Sequence, residues 1–217
     1  MASVISITDG LEPPEWINPF IDVRENDWFY NDVKYTHING LFNGTSANTF
    51  SPNEPMTRAM IATVLYRYAD SPSVIGLTNP FADVPERQWY TDAIKWAFAN
   101  GIITGYSSTE YGPNDNVTRE QLATLLWRYE GEPTGTGDLS VFGDSGAISA
   151  YALGAMKWTN GAGLISGYPD NTVRPQGNAT RAEVAAIIYR YRSLLDITVN
   201  RPSHSLTARH TQNEILP

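Results

Sequence analysis

Thr57-Arg58-Ala59-Met60 returns as Thr118-Arg119-Glu120-Gln121 and again as Thr180-Arg181-Ala182-Glu183. Behind each copy, apolar side chains follow at helical spacing. They are Ile61, Val64, Leu65 and Tyr68; then Leu122, Leu125, Leu126 and Tyr129; then Val184, Ile187, Ile188 and Tyr191. The order i, i+3, i+4, i+7 puts each set on one face of a helix. The threonines stand at 57, 118 and 180, so the period is 61 and then 62 residues. Three copies of one supersecondary unit are predicted. Each Thr is placed to cap its helix. Gln121 and Glu183 complete a capping box, whereas Met60 does not.

Working outward, each unit opens on an aromatic residue two positions before an N-cap or anchor Asp: Phe20-Ile21-Asp22, Phe81-Ala82-Asp83 and Phe142-Gly143-Asp144. A first helix follows. In the second unit it is expected over 89–100, with Trp89, Ala93, Trp96 and Ala97 on one face and Gly101 as a left-handed C-cap. Gly44, Gly105 and Gly167 each precede their Thr by 13 residues, and Pro52, Pro113 and Pro175 by 5. These glycines are expected in tight turns with positive φ. Short segments such as Asn48-Thr49-Phe50 and Asn171-Thr172-Val173 are candidates for extended pieces.

Each unit has one strongly apolar helix and too little mass to hide it. Three such stripes buried against one another predict a mainly α fold, with a three-helix centre inside one domain. Closure is preferred over a linear solenoid, because no polar capping repeat covers the ends. The expected boundaries are an approach segment over 1–19, units over 20–70, 81–131 and 142–196, and a polar tail over 197–217, with 20–196 forming one compact domain. Trp16-Ile17 is expected to pack against that body. The linkers over 70–80 and 131–140 are flexible in composition.

Composition narrows the function. The chain has 217 residues, 41 % hydrophobic and 12 % aromatic, enough for a real core. It carries 23 Asp+Glu against 15 Lys+Arg, a net charge of −8. Nucleic acid is therefore a poor partner, and an anionic ligand requires local cationic groups. With no Cys, disulfides and thiolate metal sites are excluded. No signal peptide or membrane-spanning stretch is read. His37, His204 and His210 do not repeat, and no nucleophile elbow, phosphate loop or metal-spaced cluster occurs. No catalytic residue, metal or cofactor is expected.

The aromatic-x-Asp opening, the Trp-containing helix ending Asn100-Gly101-Ile102-Ile103-Thr104-Gly105-Tyr106, the Pro and the Thr-Arg motif resemble the S-layer homology (SLH) domain. The resemblance covers about 20–195 as three tandem copies. It implies a pseudo-threefold spindle around a central three-helix bundle. It also implies non-covalent anchoring to an anionic secondary cell wall polymer, often bearing a pyruvylated amino sugar, at a Gram-positive-type cell surface. Other surface-layer chains are the alternative partner, through self-assembly.

Site residues are expected among the repeated positions. Arg58, Arg119 and Arg181 begin their helices, where the dipole disfavours a cation by about 0.3–1 kcal/mol. Spacing alone serves two explanations equally: an anionic ligand meeting free helix-end amides and a guanidinium, or a salt bridge to a neighbouring unit's acid. The resemblance favours the ligand. Asp22, Asp83 and Asp144 read first as structural caps, with sugar binding or Arg positioning as the functional role. Trp28, Trp89, Trp96 and Trp158 each read first as core, with stacking on a sugar as the functional role, and Trp28 and Trp89, at helix starts, are the better candidates for partial exposure. Gly44, Gly105 and Gly167 complete the set, either as turn glycines or as points of close sugar approach.

Overall fold

A computed structural model describes residues 16–199. Pro13-Pro14, most of the expected tail, His204 and His210 lie outside them. The chain is mainly α, with no strand among the described residues. The first helices of the three units are α1 (Tyr30–Ile38), α3 (Thr91–Ala99) and α5 (Leu153–Gly161). The second helices are α2 (Arg58–Tyr68), α4 (Arg119–Tyr129) and α6 (Arg181–Val199). Thus α6 runs three residues past the expected end of the third unit. Two short 3-10 turns, Ser145–Ala147 and Ala150–Ala152, precede α5.

The apolar stripes form the core as expected. Ile61, Leu65, Leu122, Leu126, Val184, Ile188 and Tyr191 are essentially inaccessible. Thr57, Thr118 and Thr180 cap their helices through the N–H three residues on. Gln121 and Glu183 return the bond to the Thr N–H, so both capping boxes are complete. Gly40, Gly101 and Gly163 take φ of 67°, 70° and 70° just past the first helices.

The units do not stack in a line. The second helix of each unit packs on the first helix of the next: α2 on α3, α4 on α5, and α6 back on α1. The residues just before the capping threonines close a backbone circuit. Met56 N–H donates to Ala179 C=O, Ala179 N–H to Val117 C=O, and Val117 N–H to Met56 C=O, each at 2.9 Å. At the far ends of the second helices the rings of Tyr68, Tyr129 and Tyr191 meet pairwise, with centroids 5.4–6.3 Å apart. Contact of the third unit with the first hides the apolar ends that a linear array would leave in water.

Several local expectations are corrected. Trp89 precedes α3 and is 60 % exposed, and the buried side chains of that helix are Thr91, Ala93, Ile94, Trp96 and Ala97. The expected extended pieces form no strand. The only β-type pairings among the described residues are isolated bridges between units, such as Thr57 with Asn116. The 131–140 linker is packed rather than free: Gly137 donates to Lys157 C=O at 3.0 Å and Leu139 is buried. Trp16 does dock, giving its indole N–H to His37 Nδ1 at 3.1 Å, while Ile17 stays in solvent.

Candidate functional site

Each second helix begins at a seam between two units, and what happens to its first amides decides what the seam can bind. Arg58 N–H donates to Asp115 C=O and Ala59 N–H to Pro113 C=O. Arg119 and Glu120 do the same to Gly177 and Pro175, and Arg181 and Ala182 to Glu54 and Pro52. The Thr hydroxyl takes the third amide. No helix-end amide at these positions is left for an anion, contrary to the expectation of free N–H groups. The loop of the next unit satisfies these amides instead.

The three guanidiniums follow the same circuit. Arg58 Nε donates to Tyr111 C=O at 2.8 Å and Nη2 to Thr104 C=O at 2.9 Å. Arg119 reaches Val173 and Ser166 carbonyls at 2.9 and 3.1 Å. Arg181 reaches Phe50 and Asn43 carbonyls at 2.6 and 2.7 Å. In each case one accepting carbonyl belongs to the residue before the loop glycine and the other to the residue two before the loop proline. The long side chain carries its charge away from the positive helix end and clips two units together.

From this shared frame the three seams diverge. Arg119 is buried, and its Nη1 lies 3.0 Å from Glu183 Oε1, the salt bridge to a neighbouring unit's acid. Arg181 is also buried and has no carboxylate within salt-bridge distance among the described residues. It sits against the Phe42 and Phe50 rings, and burial pulls its guanidinium down to about 10. Arg58 alone is half-buried and reachable, again without such a carboxylate. The rings of Tyr106 and Tyr111 stack on it at 4.6 and 4.4 Å.

Asp22, Asp83 and Asp144 do not cap the first helices. Both carboxylate oxygens of each take successive backbone N–H groups of its own unit's loop. Asp22 holds Phe50 and Ser51, Asp83 holds Tyr111 and Gly112, and Asp144 holds Val173 and Arg174, all at 2.7–2.9 Å. The arginine of the previous unit grips the carbonyl of the same first residue. Asp and Arg are therefore joined through a peptide unit, not directly.

Gly44, Gly105 and Gly167 are absent from the residues with positive φ, so turn conformation is not their reason. Space is. A Cβ on Gly105 would lie 2.4 Å from the carbonyls of Ser107 and Glu110 and 2.6 Å from the Phe81 ring. Gly44 and Gly167 meet Phe20 and Phe142 in the same way. Trp28 and Trp89, each two residues before a first helix, are 64 % and 60 % exposed. Tyr151 holds the corresponding place in the third unit at 53 %. Trp96 is buried and Trp158 partly so.

Glu120, not singled out from the sequence, is a charged side chain buried to 1 % exposure at the second seam. The signal for it was present: it stands where the other two copies have Ala59 and Ala182. Among the described residues no group of His, Asp or Glu side chains could hold a metal ion. Among the described residues no helix is long and apolar enough to cross a membrane.

Comparison with known proteins follows the same threefold division. The S-layer homology domain model matches residues 19–60, 80–123 and 141–185. An endoglucanase of Bacillus sp. (strain KSM-635) is 32 % identical over 177 residues, 78 % of this chain and 18 % of its own length. The surface-layer 125 kDa protein of Lysinibacillus sphaericus is 32 % identical over 165 residues, 73 % of this chain and 14 % of that protein. A cellulosome-anchoring protein of Acetivibrio thermocellus is 27 % identical over 153 residues, 68 % of this chain and 34 % of that protein. The chain thus spans a minor part of each of these relatives.

Proposed function

Because this chain belongs to the S-layer homology domain family, we propose that it is a non-catalytic module that holds a larger protein on the bacterial cell wall. Its ligand is an anionic secondary cell wall polysaccharide carrying a pyruvylated amino sugar. The ligand's carboxylate meets Arg58 at the seam between the first and second units. Tyr106, 53 % exposed, and Trp89 offer aromatic faces for the sugar ring.

One observation carries this reading. Of three equivalent arginines, Arg58 is the one that keeps solvent access. A carboxylate arriving there meets a guanidinium already oriented by two carbonyls and two rings, so little side-chain entropy is lost on binding. The net negative charge of the chain repels anions at long range, so recognition is local and stereospecific. Arg119 and Arg181 serve as clips between units. Asp22, Asp83, Asp144 and the three loop glycines shape the loops that carry the contacts.

Sedimentation with isolated wall sacculi tests the reading. Binding is expected to intact sacculi and to vanish once the secondary polymer is stripped. Unchanged binding after stripping, or self-association without wall, overturns it in favour of a lattice-building role.

A further inference from the structure

Glu120 is the second residue of α4, and its carboxylate is held by four neutral donors. Oε2 takes Ser149 N–H at 2.9 Å. Oε1 takes Ser149 Oγ–H at 2.7 Å, Tyr151 O–H at 3.0 Å and Gln176 Nε2–H at 2.9 Å. Ser149, Tyr151 and Gln176 all belong to the third unit, so the acid crosses the seam. No cation lies within salt-bridge distance of it among the described residues. A lone buried carboxylate is costly unless each lone pair is met, and here donors from three side chains and one peptide converge on it. Such convergence is what a binding site for a free carboxylate would require.

The other two seams lack this arrangement. Ala59 and Ala182 stand in place of Glu120. The charge on the arginine differs in step. Glu183, third residue of α6, neutralises Arg119. The same helical position is Gln121 ahead of Arg58 and Met60 ahead of Arg181, both neutral. At the second seam, then, both the anion's place and the cation's charge are satisfied from within the chain.

We infer that the seam between the second and third units is a carboxylate-binding pocket occupied in cis by Glu120. It is closed to the wall polymer, and with the Arg181 guanidinium buried at the third seam, the seam at Arg58 is left to take it. The pocket stands on geometry alone; the closure to polymer rests on the function proposed above.

Two measurements separate the parts. In Glu120→Ala, four donors lose the carboxylate, only Gln176 keeping another acceptor in Ala147 C=O, and the melting temperature falls by several degrees. Excess sodium formate is expected to recover most of that loss, and equal sodium chloride none of it, while neither salt shifts the wild type. Equal effects of formate and chloride on the variant, or an equal formate effect on the wild type, overturn the pocket. Failure of the variant to fold even in formate does the same. Tyr151→Phe removes one donor of four and keeps the fold. Its binding to sacculi is expected within twofold of wild type, and a loss as large as that of Arg58→Ala overturns the closure. Formate rescue needs no wall, so its failure is distinct from failure of the anchoring reading.

Discussion

Asp22 and Arg181 hold Phe50 from its two sides. The carboxylate takes the Phe50 N–H at 2.8 Å, and the Arg181 Nε–H donates to the Phe50 carbonyl at 2.6 Å. One residue of a loop is thus fixed by an acid of its own unit and a base of another. The first and third units are locked by it. Asp83 and Arg58 grip Tyr111 in this way, and Asp144 and Arg119 grip Val173.

This linkage predicts non-additive stability. Asp22→Ala frees two backbone amides and is expected to cost about 2–4 kcal/mol. Arg181→Ala strands the Phe50 carbonyl in a buried place and frees that of Asn43, and is expected to cost about 2–4 kcal/mol. Because both act on Phe50, the double variant should lose less than the sum of the two. Chemical denaturation of the four proteins checks this, and strict additivity would show that the two grips are independent.

Gly105→Ala should destabilise by about 1–3 kcal/mol, through overpacking rather than through backbone strain. The new methyl meets two carbonyls and the Phe81 ring. Gly101→Ala is the contrast. Nothing lies within 4 Å of its Cβ, and its cost is that of a positive φ alone. Trimming the ring in Phe81→Leu should relieve part of the Gly105→Ala loss and none of the Gly101→Ala loss, as thermal melts of the double variants would show.

Alkaline pH should weaken the fold through its tyrosines. Burial, joined by the hydrogen bond to Glu120, pushes the Tyr151 hydroxyl up to about 12. Burial and the bond to Glu183 do the same to Tyr168, and burial with nearby acids to Tyr129. An unfolded tyrosine ionises near ~10. Between those values the folded chain holds more protons than the unfolded one, so stability is full below about pH 10 and declines as pH rises toward 12. Tyrosinate absorbance should show late-titrating groups that become early when the protein is denatured. Tyr168→Phe should remove one of them.

The helices were legible because an apolar stripe is a local, periodic signal. Ile61 to Tyr68 and its two copies needed only the rule of 3.6 residues per turn. The circuit of units was legible in outline, since exposed stripes demand partners. The destinations of the arginines were not. The bonds from Arg181 to Phe50 and Asn43 span more than a hundred residues, and nothing at position 181 specifies a carbonyl over a carboxylate. The loop glycines were found by their register and misassigned to turn geometry, because a Cβ clash depends on chains brought together by folding. Glu120 could have been found as a break in the repeat, a charge where two copies have alanine. Its burial depends on Ser149 and Tyr151, at a place where the third unit gains one residue.

The central claim is that Arg58 reads the negative charge of the wall glycan. The direct measurement is the affinity of wild type and Arg58→Ala for wall polymer fragments with and without the pyruvyl group. Wild type should prefer the pyruvylated fragment by about tenfold or more, and the variant should bind both alike. An undiminished preference in a folded Arg58→Ala protein would contradict the account.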